Sequence, residues 1–409
     1  MTRKISFSQI VTRLLNNGKG IIPTDRKGVF VTLFFAIFTT VTGVGIVVPL
    51  LPVYANNLGA TGIYVGLIFG SFSISRTFLL PVFGRLSDKK GRKPFIVAGL
   101  FAYTLISIAF VFSENVETLI ILRFIQGAAS AMIMPVVQAY VGEITPAGQE
   151  GYAMGLFNLS MFLSLSLGPL MGGFIKDIFS LDAAFICMGI LSATGLLLSL
   201  FLLPPVSMEQ AGKTNKQIVP WSTLLKDKTI ISISIFRYAY VACIGVIWCF
   251  LPVFADTEFG LSGSLTGILV MLGVFVSGLL QIPMGWTADR INKNFMIIIG
   301  GILSTIGMIL PYWSSSFSDL VVAVTIFGIG GGISMPAIMA YAVIKGDEKK
   351  AMGSVMSIMT VAHSLGMLTG SMAAGLAMDF LSLRLAFPCG TFIMVAGTFI
   401  FLIMINKKS

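Results

Sequence analysis

The sequence predicts an all-α membrane protein with twelve transmembrane helices in two pseudo-symmetric six-helix bundles. Composition is the first observation behind this prediction. Of the 409 residues, 56% are hydrophobic and 11% are charged, and the mean hydropathy is +0.94. Soluble domains carry about 25% charged residues, so this chain has too little charge to cover a water-facing surface. In lipid the backbone must be hydrogen-bonded within helices or a closed barrel, and long unbroken apolar runs favour helices.

The second observation is the number and length of those apolar runs. Most have the roughly 20 residues that a bilayer requires, although the third and ninth are short. We number them spans 1 to 12. They cover roughly 29–54, 61–83, 95–112, 118–142, 151–175, 183–204, 229–255, 264–285, 295–313, 318–343, 351–376 and 384–405.

The third observation is an internal repeat. The charged stretch at 84–94 returns, weakened, at 285–293, with Gly84 and Gly285 separated by 201 positions (285 − 84). Pro135 and Pro336 share this offset. Six spans in each half give the two halves the same orientation, related by an axis along the membrane normal. A charged loop repeated in two halves is typical of a two-bundle transporter.

The longest interior polar stretch divides the chain. We expect a cytoplasmic N-terminal segment at 1–28, a first bundle at 29–204, a linker at 205–228, a second bundle at 229–405 and a tail at 406–409. The termini and the loops on one side hold 22 of the 27 Lys and Arg residues. Positive charge favours the cytoplasm, so both termini are predicted to be cytoplasmic. The net charge of +10 is therefore a topology signal, and no nucleic-acid partner is expected.

Several motifs resemble those of the major facilitator superfamily. Residues 84–93 resemble its signature between spans 2 and 3, and 119–127 resemble its span-4 signature, in which an arginine precedes Gln-Gly. Residues 164–173 resemble its span-5 antiporter signature, with Ser164 in place of the usual first glycine. Gly45 and the stretch 49–52 resemble span 1 of the twelve-span drug:proton antiporters. The resemblance implies the fold of that family and efflux by alternating access.

The charged loop has a physical interpretation as a conformational latch. Gly84 and Gly91 are expected to permit a tight cytoplasmic turn. Asp88 is expected to face the positive end of the helix that begins near Ala351. By symmetry, Asp289 would face the start of span 5. The alternative is that the loop only anchors the topology.

The basic residues of this loop are expected to contact carboxylates. Arg85 and Arg92 are each placed to reach one, and Glu143 is a candidate partner. A contact of this kind would hold the cytoplasmic side closed and release on switching.

Small residues also line one side of span 5. Gly168, Gly172 and Gly173 allow a facing helix to approach closely, and Pro169 removes a backbone donor and can kink the helix. Ordinary helix packing and a role in gating are compatible explanations, and both remain open.

Ionisable residues within the spans bear directly on function. All 17 carboxylates fall in loops or at span ends, whereas drug:proton antiporters of this shape commonly have an acid in span 1. The chain instead places Arg76, Arg123, Arg237 and His363 within its spans. Arginine stays charged and is costly at depth, so these residues favour an anionic partner. Arg76 and Arg237 have a structural alternative, in which they bond helix carbonyls or extend to the membrane edge.

Two of these residues have individual expectations. Arg123 matches the family's span-4 arginine, and the resemblance implies a conformational or coupling role. His363 is the deep side chain that can titrate near neutral pH, which makes it a candidate for proton coupling. The alternative for His363 is a histidine satisfied by a neighbouring hydroxyl.

A polar and aromatic set is expected on the central cavity, together with adaptable methionines. Its members are Gln126, Gln138, Tyr140, Asn158, Gln281 and Tyr341. One histidine and four cysteines without ligand spacing predict no metal site. No cofactor is expected. The absence of a Gly-x-Ser-x-Gly elbow or a two-histidine zinc motif disfavours an enzyme.

The predicted function is therefore an exporter of amphipathic organic solutes in the cytoplasmic membrane, driven by protons or by exchange. The alternative is an exporter of an organic anion or siderophore-like metabolite that uses the intramembrane arginines. The expected partners are a small-molecule substrate, protons and the lipid bilayer, and the expected oligomeric state is a monomer.

Overall fold

The computed structural model describes residues 24–145, 150–204, 221–288, 290–349 and 351–406. It contains twelve helices that are long and apolar enough to cross a membrane, and the described residues form no strand. The prediction of an all-α membrane protein with twelve spans is confirmed. Most of the N-terminal segment and the linker, residue Asp289 and the last three residues lie outside the described part of the chain.

The helices follow the predicted order. The first bundle consists of Thr24–Val47 with Leu50–Asn57 (span 1), Gly62–Lys90, Arg92–Val111, Val116–Ile144, Glu150–Ile178 and Leu181–Leu202. A short helix, Trp221–Leu224, precedes the second bundle, which consists of Lys228–Phe259, Gly263–Ala288, Lys293–Ile309, Phe317–Glu348, Met352–Phe380 and Ala386–Asn406. Two 3₁₀ turns, Leu310–Trp313 and Leu383–Leu385, extend span 9 and precede span 12.

Span 1 is broken rather than continuous. Its first helix ends at Val47 and its second begins at Leu50. Pro49 and Pro52 lack the N–H groups that would bond the carbonyls four residues earlier, and their rings crowd those carbonyls. The Pro-Leu-Leu-Pro stretch therefore interrupts the helix near one end of the span.

The charged stretch at 84–94 is mostly helical. Span 2 continues to Lys90, and Gly91, with φ of +87°, turns the chain into span 3. Gly91 is thus the turn residue that the sequence predicted. The expectation that Gly84 also belongs to the turn is wrong, because Gly84 lies inside the helix. The helix extends this far because nothing between Gly84 and Lys90 breaks its hydrogen-bonding pattern.

The two bundles touch mainly where span 2 meets span 11 and span 5 meets span 8. A Cβ atom on Gly66 would lie 2.6 Å from the Ser371 carbonyl oxygen, and one on Gly70 would lie 2.8 Å from Leu368 Cδ1. A Cβ atom on Gly173 would overlap the Gly263 carbonyl. These contacts lie toward the end of the bundle that carries the span 1–2 turn. We call that end the closed face.

The opposite end carries residues 84–92 and 285–293, and we call it the motif face. A Cβ atom on Gly84 or Gly285 would meet nothing within 4 Å. The glycines of spans 2 and 8 are therefore packed at the closed face and open at the motif face. In the described part of the chain, the close glycine contacts between the two halves therefore lie at the closed face.

Candidate functional site

Arg76, Arg237 and His363 come together between the two bundles. Gly70 of span 2 packs on Leu368 of span 11. Arg76 lies six residues and His363 five residues from that contact, both toward the motif face, which at 1.5 Å per residue places both about 8 Å below it. A Cβ atom on Gly366 of span 11 would overlap the Tyr238 carbonyl oxygen of span 7, so Arg237 and His363 flank one helix contact. Arg76 and Arg237 both lie within electrostatic reach of His363. Three basic side chains from both halves thus share one region.

The bonds of these two arginines are incomplete. Arg237 Nη1 donates to the Met339 sulfur at 3.2 Å, and a thioether is a weak acceptor. The Nε atoms of Arg76 and Arg237 are buried and have no hydrogen-bond partner among the described residues. Within the described ranges, no carboxylate forms an ion pair with either side chain. These two half-buried arginines therefore have no described counter-charge, which is costly in a membrane interior.

Arg123 has a different environment. Its Nε donates to the Ile68 carbonyl at 3.3 Å, and its Nη1 donates to Gln126 Oε1 at 2.8 Å. Its guanidinium lies 4.8 Å from the Phe69 ring centroid and 4.6 Å from that of Phe72. These contacts hold span 4 against span 2 within the first bundle. Gln126, predicted as a cavity residue, serves here as the partner of Arg123.

Two of the other predicted cavity residues, Tyr140 and Tyr341, have partners away from this cluster. The Tyr140 hydroxyl donates to the Pro204 carbonyl at 3.1 Å, and the Tyr341 hydroxyl donates to Asn294 Oδ1 at 2.7 Å. Each of these bonds stays within one bundle, near the motif face. Gln138 and Gln281 are half-buried. The side chain of Asn158 lies outside the described part of the structure.

At the motif face, Arg92 binds Glu143. Arg92 Nη2 and Nε donate to Glu143 Oε1 at 2.8 and 3.1 Å, and Nη1 donates to Ser87 Oγ at 2.6 Å. This network ties spans 2, 3 and 4 of the same bundle together. The side chains of Arg85 and Asp88 lie outside the described residues, as does Asp289. Ala351, where span 11 begins, has no side-chain cap among the described residues.

The span-5 glycines pack on two different partners. A Cβ atom on Gly168 would lie 2.7 Å from the Cα of Gly45, and one on Gly172 would overlap the Ile46 backbone, both in span 1. Gly173 instead faces Gly263 of span 8, in the other bundle. The Pro169 carbonyl also lies against span 8. Packing within the bundle and contact between the bundles therefore fall on different residues of one motif.

The sequence analysis missed two carboxylates at the closed face. Asp379 Oδ1 and Oδ2 accept hydrogen bonds from the N–H groups of Gly62 and Ile63 at 2.5 and 2.8 Å. Asp177 Oδ1 and Oδ2 accept from the N–H groups of Gly263 and Ser264 at 2.9 and 2.7 Å. Each aspartate ends a span in one bundle and binds the start of a helix in the other.

A signal for this pair was present in the sequence. Gly62 and Gly263 share the 201-residue offset of the internal repeat, and Asp177 and Asp379 are 202 positions apart (379 − 177). Extending the repeat comparison from the motifs to the span ends would have paired them. Their role was not visible, because the contact joins residues more than 80 positions apart.

One further carboxylate anchors the second bundle outside the membrane-spanning segments. Asp227 caps span 7 by accepting from the N–H groups of Thr229 and Ile230, and its Oδ2 lies 3.8 Å from Lys345 Nζ and 3.5 Å from Lys349 Nζ. Burial acts to raise the pKa of Asp227, but these bonds and ammonium groups outweigh it and hold the pKa below its ordinary value.

Comparisons with known proteins agree with this architecture. The sequence profile of the Major Facilitator Superfamily matches residues 33–255 and 239–408. An uncharacterized MFS-type transporter of Methanocaldococcus jannaschii is 32% identical, with 88% of this chain and 93% of that protein covered. Multidrug resistance protein 1 of Bacillus subtilis is 27% identical, with 87% and 91% covered.

A solved structure has the same fold. The crystal structure of the nucleoside transporter NupG superposes with a TM-score of 0.76 at 14% sequence identity, covering 92% of this chain and 98% of that one. The family match spans nearly the whole sequence, and the fold agrees with it. This chain is a multi-pass membrane protein and belongs to the major facilitator superfamily of transporters.

Proposed function

We propose that this protein is a secondary active exporter of amphipathic organic solutes across the cytoplasmic membrane. The observation that carries the proposal is the pair of six-helix bundles, whose close glycine contacts in the described residues lie at the closed face, with Arg76 and Arg237 between the bundles. Two bundles that meet at one face around a charged centre suit alternating access. The similarity to multidrug resistance protein 1 supports efflux as the direction.

The proposed orientation follows the distribution of basic residues. The loops rich in Lys and Arg lie at the motif face, where the first described helix begins and the last one ends, and this supports a cytoplasmic position for that face and for both termini. The closed face is then external. In this state the substrate enters from the cytoplasm between the two bundles, which comprise 29–204 and 229–405. The transporter acts as a monomer.

The proposed switching element is the charged stretch at the motif face. Asp88 binds the start of span 11 at Ala351 when the cytoplasmic side closes, because that helix end has no side-chain cap of its own in the described residues. Asp289 has the equivalent role toward span 5. Arg92 and Glu143 hold spans 2 to 4 in the position that presents Asp88.

The proposed coupling residue is His363. It lies with Arg76 and Arg237 between the bundles. At that position it is accessible from the cytoplasmic side in one state and from the external side in the other. Glu143 is already engaged with Arg92 at the motif face, so it is less suited to carry a proton across the protein. Exchange of one solute for another, without protons, is the other proposed mode.

A second candidate function is the export of an organic anion or siderophore-like metabolite. The specific observation that favours it is the pair of arginines with buried, unpartnered Nε atoms. Cationic drugs require an acid at depth, and within the described residues no such acid contacts these side chains.

The test of the proposed function is solute flux in proteoliposomes. Purified protein is reconstituted, and uptake of neutral, anionic and cationic amphipathic dyes is followed with and without an imposed pH gradient. We expect saturable flux of at least one class above that of protein-free vesicles. Equal uptake with and without protein for every class would contradict the proposal.

A further inference from the structure

We propose that Arg76, Arg237 and His363 form one binding site for the anionic head group of the substrate, a carboxylate in the first instance. The inference rests on the proposed function, since it places the site on the transport path. It assigns Arg123 elsewhere, because that side chain is already bonded to Ile68 and Gln126.

Arg76 and Arg237 have hydrogen-bond donors that no described residue engages. A guanidinium carries five N–H donors in a fixed fork, and in Arg237 the described contacts engage one of them with the Met339 sulfur. Among the described residues, the buried Nε atoms of Arg76 and Arg237 have no hydrogen-bond partner. These two donors are therefore not bonded to helix carbonyls, and they are free to bind a ligand.

The positive charges of the two arginines lie in different bundles. Arg76 belongs to the first bundle, whereas Arg237 and His363 belong to the second, and both arginines lie near enough to His363 to act on it. Like charges from opposite halves repel each other in a medium of low dielectric constant. An anion between them neutralises that repulsion and binds both halves. Guanidinium forks match the two oxygens of a carboxylate, which gives the site its chemical preference.

The surroundings define the rest of the ligand. Met339 contacts Arg237, and the half-buried Phe72 lies one helical turn before Arg76 on span 2. Flexible thioether and aromatic side chains suit an apolar body of variable shape. The site therefore takes an organic anion with an apolar body rather than a small inorganic ion.

The test compares three naphthalene derivatives of matched size, the carboxylate, the neutral carboxamide and the ammonium analogue. Binding to the full-length protein in nanodiscs is measured by quenching of intrinsic fluorescence. We expect the carboxylate to bind at least tenfold more tightly than the carboxamide, and the ammonium compound to bind most weakly. Arg76→Gln and Arg237→Gln should each weaken carboxylate binding by about 10- to 100-fold, since a hydrogen bond to a charged group contributes that much.

The matched control is Arg290→Gln, which removes an exposed arginine that stacks on Trp286 at the motif face. It should bind the carboxylate as the wild type does. If Arg76→Gln folds poorly, Arg76→Lys takes its place in the test. This variant keeps the positive charge and should retain part of the affinity for the carboxylate. Equal binding of carboxylate and carboxamide by the wild type would overturn the anion site. In that case, protein-dependent flux of the carboxamide in proteoliposomes would still support the proposed export function, so the two failures can be told apart. If inorganic phosphate displaced the bound naphthalene carboxylate with an affinity equal to that of the carboxylate itself, the site would be one for small anions. That result would overturn the preference for a ligand with an apolar body.

A separate observation supports a second inference. We infer that Asp177 and Asp379 act as a pair of latches that hold the closed face together. Each ends a span of one bundle and accepts two backbone hydrogen bonds from the first residues of a helix in the other bundle. The first N–H groups of a helix have no partner within it, and that end is electropositive. A carboxylate there is bound by both effects.

Glycine at the two helix starts makes the contact possible. A Cβ atom on Gly62 would lie 2.5 Å from the Gly375 carbonyl oxygen and 3.0 Å from Asp379 Oδ1. One on Gly263 would lie 2.8 Å from Asp177 Oδ1. The same device thus occurs twice, related by the internal repeat. Opening the closed face must break both copies, because each one joins the two bundles.

The test uses the Asp177→Asn and Asp379→Asn variants, singly and together. The control is Asp319→Asn, whose carboxylate lies near the same face but accepts bonds from Ser315 and Ser316 within its own bundle. The reporter is Ser371→Cys in a protein whose other cysteines are replaced, because Ser371 is fully buried and bonds the Gly66 carbonyl across the bundles.

Labelling of this cysteine by an impermeant maleimide from the external side reports opening. We expect each latch variant to raise the labelling rate about tenfold and the double variant to raise it further, within the range typical of conformational coupling. Asp319→Asn should label as the parent does. An unchanged rate in the double variant, or the same increase in the control, would overturn the latch. If one single variant fails to insert, the other decides, because each latch is predicted to act alone.

Discussion

Two adjacent glycines of span 5 offer a sharp test of the two-bundle mechanism. Gly172 packs on the Ile46 backbone inside the first bundle, and Gly173 packs on the Gly263 backbone of the second. Replacing either with alanine adds one Cβ atom that overlaps a backbone carbonyl. Backbone atoms cannot move aside as a side chain can, so one helix must shift. Overpacking of this kind costs about 1–3 kcal/mol.

The two substitutions differ in the conformations that the overpacking destabilises. In Gly172→Ala the clash persists in every conformation, because spans 1 and 5 belong to one bundle. Alanine gains about 1 kcal/mol of helix propensity, so the net loss of folding stability is about 0–2 kcal/mol. In Gly173→Ala the clash exists only while the closed face is closed. The substitution therefore leaves folding intact and shifts the conformational equilibrium about 5- to 150-fold toward opening.

The assay combines thermal unfolding with external labelling of Ser371→Cys. This reporter lies on the span 2–11 contact, away from both glycines, so it detects opening of the whole face. Gly173→Ala should label faster with an unchanged unfolding midpoint. Gly172→Ala should label at the parent rate with a lowered midpoint. The opposite pattern, or the same response from both variants, would refute the assignment of the two glycines to different interfaces.

Three further predictions concern charged and titratable groups. Asp88→Asn should impair transport while leaving membrane insertion unchanged, and Asp289→Asn should impair it less because its surrounding motif is degraded; wild-type flux in Asp88→Asn would exclude the latch at the motif face. His363→Gln should abolish accumulation driven by a pH gradient and preserve counterflow exchange, and a variant that still concentrates substrate would move the coupling elsewhere. Asp227→Asn should lower stability by about 0.3–1 kcal/mol at neutral pH, because it keeps the helix cap but removes the negative charge beside Lys345, Lys349 and the electropositive helix start. Because the folded-state pKa of Asp227 is depressed, its contribution is present above the ordinary aspartate pKa and is lost as pH falls below it; a penalty in thermal unfolding that persists unchanged at about pH 3 would contradict this.

Much of the fold was predictable because the membrane restricts backbone structure so strongly. Apolar run length identified all twelve spans, and the 201-residue repeat identified the two halves. Helix ends were less predictable. Span 5 ends at Ile178 and span 11 at Phe380, each a few residues beyond the apolar run, because a helix can continue into the aqueous layer with polar residues.

The sequence predicted which residue types form the candidate site. It did not predict which of them would find hydrogen-bond partners. Composition isolated Arg76, Arg123, Arg237 and His363 as deep basic groups. Only the three-dimensional arrangement separates Arg123, which is satisfied by neighbours in its own bundle, from Arg76 and Arg237, whose Nε atoms are not. Hydrogen-bond satisfaction depends on contacts between distant spans, and hydropathy and periodicity carry no information about those.

We propose that one pathway between the two bundles, past Arg76 and Arg237, opens to one face at a time. The most direct measurement is labelling of a Met339→Cys variant, which replaces the half-buried neighbour of Arg237, by an impermeant maleimide applied to inside-out and to right-side-out vesicles. We expect labelling from the cytoplasmic side in the otherwise wild-type protein. When Asp177→Asn and Asp379→Asn are both present, labelling should shift to the external side. Equal labelling from both sides in every variant, or from neither side, would contradict alternating access.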